Sequence, residues 1–108
     1  MLYDKKWDKE VKVVDEVGQA MLNAADYIDK HGHCKHTPKN SQGEVCLMGA
    51  LLHSSNLEFE IWRQTIGLPA CLRLKKILGM EPANWNDMPE RTAEEVTAML
   101  RHAAYNQE

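Results

Sequence analysis

Residues 46–52, Cys-Leu-Met-Gly-Ala-Leu-Leu, form an unbroken apolar run with a glycine in its middle. A helix that is apolar all round must be covered on more than one side. The run therefore predicts the central helix of a small domain. Gly49 within it costs about 1 kcal/mol against alanine, which implies that something packs close to the backbone there.

Upstream, Val14, Val17, Met21, Ala24 and Ile28 recur at gaps of three and four, the signature of one buried helical stripe. Asp15, Glu16, Asn23 and Asp26 fall on the opposite face. Asp8 is placed to cap the start of this helix, and His31-Gly32 ends it with a residue free to take φ > 0. Residues 33–43 hold turn formers without apolar periodicity and predict a loop. Ser41 and Glu44 have capping-box spacing and predict the start of the central helix.

Asn56 is placed to cap a short helix through Phe59, Ile61 and Trp62 to Ile66, closed by Gly67. Pro69 suits the first turn of a further helix with Leu72, Leu74, Ile77 and Leu78 as apolar positions and Gly79 as its end. Whether residues 57–79 form two helices or one kinked helix stays open on pattern alone. Residues 81–90 predict a second loop, with Trp85 pinning it to the core. Thr92 and Glu95 form a second capping box, opening a last helix with Val96, Met99, Leu100 and Ala103 on one face. No segment alternates with period two. The expectation is an all-α, compact single-domain bundle of four to five helices spanning residues 1–108 around an apolar central helix.

Composition narrows the function classes. The chain has 108 residues, 44% hydrophobic and 27% charged, which is ordinary for one soluble domain. A net charge of −3 argues against a phosphate-tracking surface, so no nucleic-acid partner is expected. No stretch approaches the roughly 20 apolar residues of a membrane span, and the charged N-terminus is unlike a signal peptide. A cytoplasmic location follows as the expectation. Cys34, Cys46 and Cys71 are an odd number without close pairing, read most simply as free thiols.

Three segments together carry a resemblance: residues 24–28 with His31-Gly32, residues 46–51, and Trp85-Asn-Asp87 with Pro89 and residues 91–96. In this order the chain resembles an uncharacterised family of small helical proteins, a domain of unknown function found mainly in actinobacteria and their phages. The resemblance covers roughly residues 20–104. It departs from the family pattern at His33-Cys-Lys-His36, in place of a more neutral, aromatic-led loop, and in a longer N-terminus. It implies an intracellular helical protein, of phage origin in some members, and assigns no catalytic residue.

Cys46 is the sharpest chemical candidate. Near a helix start the dipole favours a thiolate, and His31, His33, His36 and Asp87 are candidate partners for acyl-transfer chemistry. The plainer reading makes Cys46 a small core residue among Val45, Leu47 and Met48. On that reading Cys46→Ser should destabilise more than Cys46→Ala. His33, Cys34 and His36 are zinc-ligand types, but their spacing fits no closed site, and a solvated loop is the plainer account. In Asn84-Trp-Asn-Asp87 the expected role is a loop lock, the alternative being that Asn86 and Asp87 approach His31 and Cys46. Trp7, Trp62, Tyr3 and Met88 fit no helical stripe cleanly and are candidates for a binding surface.

These observations favour a small interaction module that binds a protein partner, a host protein if the gene comes from a phage. The alternative from another class is a Cys-dependent hydrolase or transferase using Cys46, His31 and Asp87. A zinc-stabilised regulator ranks third. No cofactor is expected.

Overall fold

A carboxylate, Asp15, starts the first helix of the computed structural model, which describes residues 14–106. Its side chain accepts the Gly18 N–H at 2.7 Å, capping α1, Glu16–His31. Asp15 thus belongs to the helix start rather than to the solvent face. The expected cap Asp8 lies outside the described residues. Val17, Met21, Ala24 and Ile28 are buried as one stripe, while Glu16, Asn23 and Asp26 face solvent. The helix ends at Gly32, whose φ of 99° suits a residue without Cβ.

The segment from 33 to 45 is more ordered than a solvated loop. Val45 is its anchor: its carbonyl accepts the Cys34 N–H at 2.9 Å, and its own N–H reaches the Gly32 carbonyl at 3.0 Å. Val45 also forms single-residue bridges with His33 and Lys39. Ser41 and Glu44 form no capping box. The Asn40 carboxamide supplies the acceptor instead, taking the N–H groups of Gln42 and Glu44 and closing a tight turn before the chain extends.

The apolar run forms α2, Leu47–His53, with Cys46 as its N-cap residue. Leu47, Gly49, Ala50 and Leu51 are buried, and Met48 and Leu52 pack partly against the core. The expected close approach at Gly49 is present. A Cβ there would fall on the Pro38 carbonyl oxygen, so the returning loop lies directly on the helix backbone.

Residues 59–78 answer the open question of one helix or two. They run without a break as α3, built from Phe59–Trp62, a π-turn at Arg63–Gly67, and Leu68–Leu78. Glu58, not Asn56, precedes the helix; Asn56 sits in the left-handed region at φ 60°, which asparagine tolerates. Pro69 explains the π-turn. It has no N–H to give the carbonyl four residues back, and its ring would clash there in a regular helix. The Leu68 N–H instead reaches back five residues to the Arg63 carbonyl. The extra residue also sets the buried face. Trp62, Ile66, Ala70 and Leu74 are all buried although their spacing is four throughout. Regular α-helix would turn Leu74 by roughly 120° from Trp62, and one residue absorbed by the π-turn cuts this to about 20°.

A short helix, α4, Pro82–Asn86, occupies what the pattern gave as a loop. The partly buried Trp85 on it packs against the core with the Arg91 guanidinium 3.8 Å from its ring centroid. The final helix α5, Ala93–Ala104, opens with the expected reciprocal box: the Glu95 N–H to Thr92 Oγ1 at 3.1 Å, and the Thr92 N–H to Glu95 Oε1 at 3.0 Å. The start of α1 lies so close to the end of α5 that a Cβ on Gly18 would meet the Ala104 carbonyl. The fold is all-α. Among the described residues there is no strand, and no helix long and apolar enough to cross a membrane.

Candidate functional site

Asn86 is the residue on which the polar chemistry of this domain converges. It ends α4, is only 1% exposed, and reaches across to the start of α2. Its Oδ1 accepts the Leu47 N–H at 3.0 Å. That backbone donor fixes which end of the carboxamide is oxygen. The same Oδ1 lies 2.6 Å from His33 Nε2, so the imidazole presents its Nε2–H there. The Asn86 NH₂ donates to the Cys34 carbonyl at 3.3 Å and to Asp87 Oδ1 at 2.9 Å. One buried amide thus ties together α2, α4 and the 33–45 segment.

Asp87 continues the cluster outward. Its Oδ1 also accepts the His36 N–H at 2.9 Å, and Oδ2 lies 3.5 Å from His36 Nδ1. Burial pushes its carboxyl upward, but the His36 N–H, the Asn86 amide and the His36 and His33 imidazoles outweigh this, leaving it below the usual carboxylate range. His36 adopts φ 71°, a left-handed backbone held by this contact. Lys35 donates to the carbonyls of Met88 and Pro89 at 2.7 and 3.0 Å, so the two segments are stapled along their length.

Between them opens a cleft of about 230 Å³ lined by His36, Thr37, Pro38, Cys46, Met48, Ala83, Asn86 and Asp87. Cys46 is half-buried at its floor, and its Sγ accepts the Gly49 N–H at 3.3 Å. Burial raises its thiol above the usual range, although the Gly49 and Met48 N–H groups pull the other way. A group used as a nucleophile requires the opposite shift.

The structure brings Asp87 to the rim of the Cys46 cleft but not His31. That ring packs at a tilt against Tyr27 at a centroid distance of 4.2 Å, exposed at the end of α1. His36 lines the cleft in its place, and His33 reaches Asn86 behind it. The zinc-type residues diverge: His33 turns to Asn86, His36 to Asp87, and the Cys34 thiol to the carbonyls of Thr37 and Glu44. Among the described residues, no three His, Cys, Asp or Glu side chains are grouped to hold a metal ion.

The surface candidates also redistribute. Trp7 and Tyr3 lie outside the described residues. Trp62 is a core residue, only 6% exposed, with its indole N–H donated to the Leu51 carbonyl at 3.0 Å. Met88 is half-buried, its sulfur accepting from Arg91 Nη2 at 3.0 Å. The exposed apolar residues are others. Phe59 is 51% exposed, Ile61 53%, Leu68 49%, Leu72 65%, Leu57, just before α3, 39%, and Tyr105, after α5, 45%. Ile61 and Leu72 were expected only as apolar positions along their helices. They are apolar positions outside the spacing of 62, 66, 70 and 74, and that mismatch is the signal that marks them.

These observations define a small all-α domain with a polar clamp and, among the described residues, a set of exposed apolar side chains along α3. The chain belongs to the Family of unknown function (DUF6197), which it matches over residues 13–106. No curated protein and no solved structure matches it.

Proposed function

We propose that this protein acts by binding another protein in the cytoplasm, a host protein where the gene is carried by a phage. The single observation that carries this reading is the outer side of α3, where Ile61, Leu68 and Leu72, with Leu57 just ahead, are 39–65% exposed. Large apolar groups gathered on one side of one helix are the mark of a contact surface. A helix face in contact with a partner is a familiar recognition mode. The three unpaired thiols are compatible with a reducing compartment.

A photo-crosslinking residue at position 72, introduced in the native host, tests this, with one at exposed Glu94 as the control. The expected result is a discrete adduct from position 72 that disappears when Ile61→Asp is added. Equal labelling from both positions would overturn the reading.

Cysteine chemistry has one observation in its favour, the cleft that holds Cys46 beside Asp87. The raised thiol weighs against it.

A further inference from the structure

We infer that the outer side of α3 pairs with the same side of a second copy of this chain, antiparallel about a two-fold axis. The inference rests on the reading of this surface as a docking face and goes beyond it: where no partner protein is bound, a second copy occupies the face.

Charge placement along α3 is the argument. Exposed Glu58 and Glu60 lie at its start, and exposed Lys75 and Lys76 at its end, with Ile61, Leu68 and Leu72 between them. The exposed positions of the helix are thus acidic at one end and basic at the other, with Ile61, Leu68 and Leu72 set among the uncharged Gln64 and Thr65 between them. Such an order is complementary to itself when reversed. A two-fold interface brings each residue pair together twice. Glu58 with Lys76, Glu60 with Lys75, and Ile61 with Leu72 share a midpoint near residue 67, so one register satisfies all three. Leu68 then falls beside the axis, against Leu68 of the second copy. A parallel arrangement would set Glu58 against Glu58 and Lys76 against Lys76, which like charges disfavour.

The charges are available for this. Glu60 pairs with Arg63 at 3.2 Å and Lys75 with Glu81 at 2.9 Å, both on the surface, where such pairs exchange readily. Glu58 and Lys76 have no ion pair within the described chain. Each is left for a partner of opposite sign.

The size of the face sets the strength. Residues 59–78 span roughly 30 Å, and a helix face is about 10 Å wide. Two such faces bury less than the roughly 1,200 Å² of a standard interface, which places the dimer among transient complexes. Sedimentation velocity of the purified full chain under reducing conditions, from about 1 μM to about 500 μM, spans that class.

The expected result is a concentration-dependent monomer–dimer equilibrium. Leu72→Asp, at an exposed position, should leave the thermal melt in place and weaken dimerisation at least tenfold. The pair Glu58→Lys with Glu60→Lys should weaken it similarly, as should Lys75→Glu with Lys76→Glu. Mixing these two double variants should restore association, because each then meets its opposite. A monomer at every concentration would overturn the inference, as would a dimer indifferent to Leu72→Asp or to the charge variants. A monomer that still forms an Ile61-dependent adduct with a host protein through position 72 would reject the second copy and keep the docking face.

Discussion

Asn86 and Leu47 are 39 residues apart, yet the buried carboxamide of one accepts the first backbone N–H of the other's helix at 3.0 Å. The α2 N-terminus is therefore satisfied twice, by Asn86 for Leu47 and by the Cys46 thiol for Gly49. Neither is the usual arrangement: Asn86 is remote in sequence, and cysteine is not a preferred cap residue. Removing Asn86 strands the buried Leu47 N–H and leaves the partly buried His33 imidazole and Cys34 carbonyl without this partner. Asn86→Ala should cost about 1–3 kcal/mol, the range for buried groups left without partners. A urea melt with unchanged slope and a midpoint within error of the parent would refute the clamp.

Cys46 makes a prediction opposite to the one drawn from the sequence. A core cysteine would tolerate alanine better than serine. An N-cap cysteine should behave the other way, because serine is a preferred cap and alanine offers no acceptor. Cys46→Ala should lose about 0.5–2 kcal/mol, and Cys46→Ser should equal or exceed the parent. Thermal melts of both variants decide the order. Serine tolerance consequently says nothing about catalysis here, and alkylation by iodoacetamide does. With its thiol pushed above the usual range, Cys46 should react slowly near neutral pH and faster only in alkali. Rapid labelling at neutral pH would revive the nucleophile.

Asp15 offers a pH test. The Arg73 guanidinium beside it holds its carboxyl below the ordinary range, against the opposing effect of burial, and the Gly18 N–H adds to the lowering. Its unfolded value is near 3.9. A lowered folded value means stability present above that pH and lost as pH falls through the folded value. Asparagine caps about as well as aspartate, so Asp15→Asn keeps the cap and removes the charge. The variant should lose part of its stability at neutral pH and converge on the parent as pH falls through the lowered folded value. Parallel curves at all pH values would show that the Arg73 pair contributes nothing.

Gly49 tests the close approach of the loop. Alanine would ordinarily favour a helix by about 1 kcal/mol. Here its methyl would displace the Pro38 carbonyl, an overpacking cost of roughly 1–3 kcal/mol. Gly49→Ala should therefore destabilise in spite of its helix propensity. A rise in melting temperature would mean that Pro38 does not rest on α2.

What could be read from the chain follows the distance over which each feature is encoded. The α1 stripe and the Thr92–Glu95 box are set within a few residues of sequence, and both are present. The spare room at Gly49 was legible, but its occupant Pro38 was not, since the contact arises from a loop returning on the helix. Asn86 was visible only as a turn residue, because its partners lie 39 and 53 positions away. Trp62 seemed to belong to no stripe for a different reason. Its stripe passes through a π-turn, and a pattern read at 3.6 residues per turn loses phase there. Ile61 and Leu72 lie out of phase with that stripe and are exposed. The polar cleft was half legible: Cys46 with Asp87 was named, while the histidine chosen for it was the one left outside.

The wide turn at Arg63–Gly67 makes α3 a place where the chain carries one residue of slack. Removing a residue elsewhere in the helix would swing everything beyond it by about 100°, burying lysines and exposing leucines. Removing one within this turn would return it to ordinary helix with both halves still aimed as before, provided Pro69 is replaced so that the carbonyl four residues back is free. Length and composition are thus coupled at a single spot. A relative of this protein without a proline at the equivalent place is expected to be one residue shorter there and to show the same two faces.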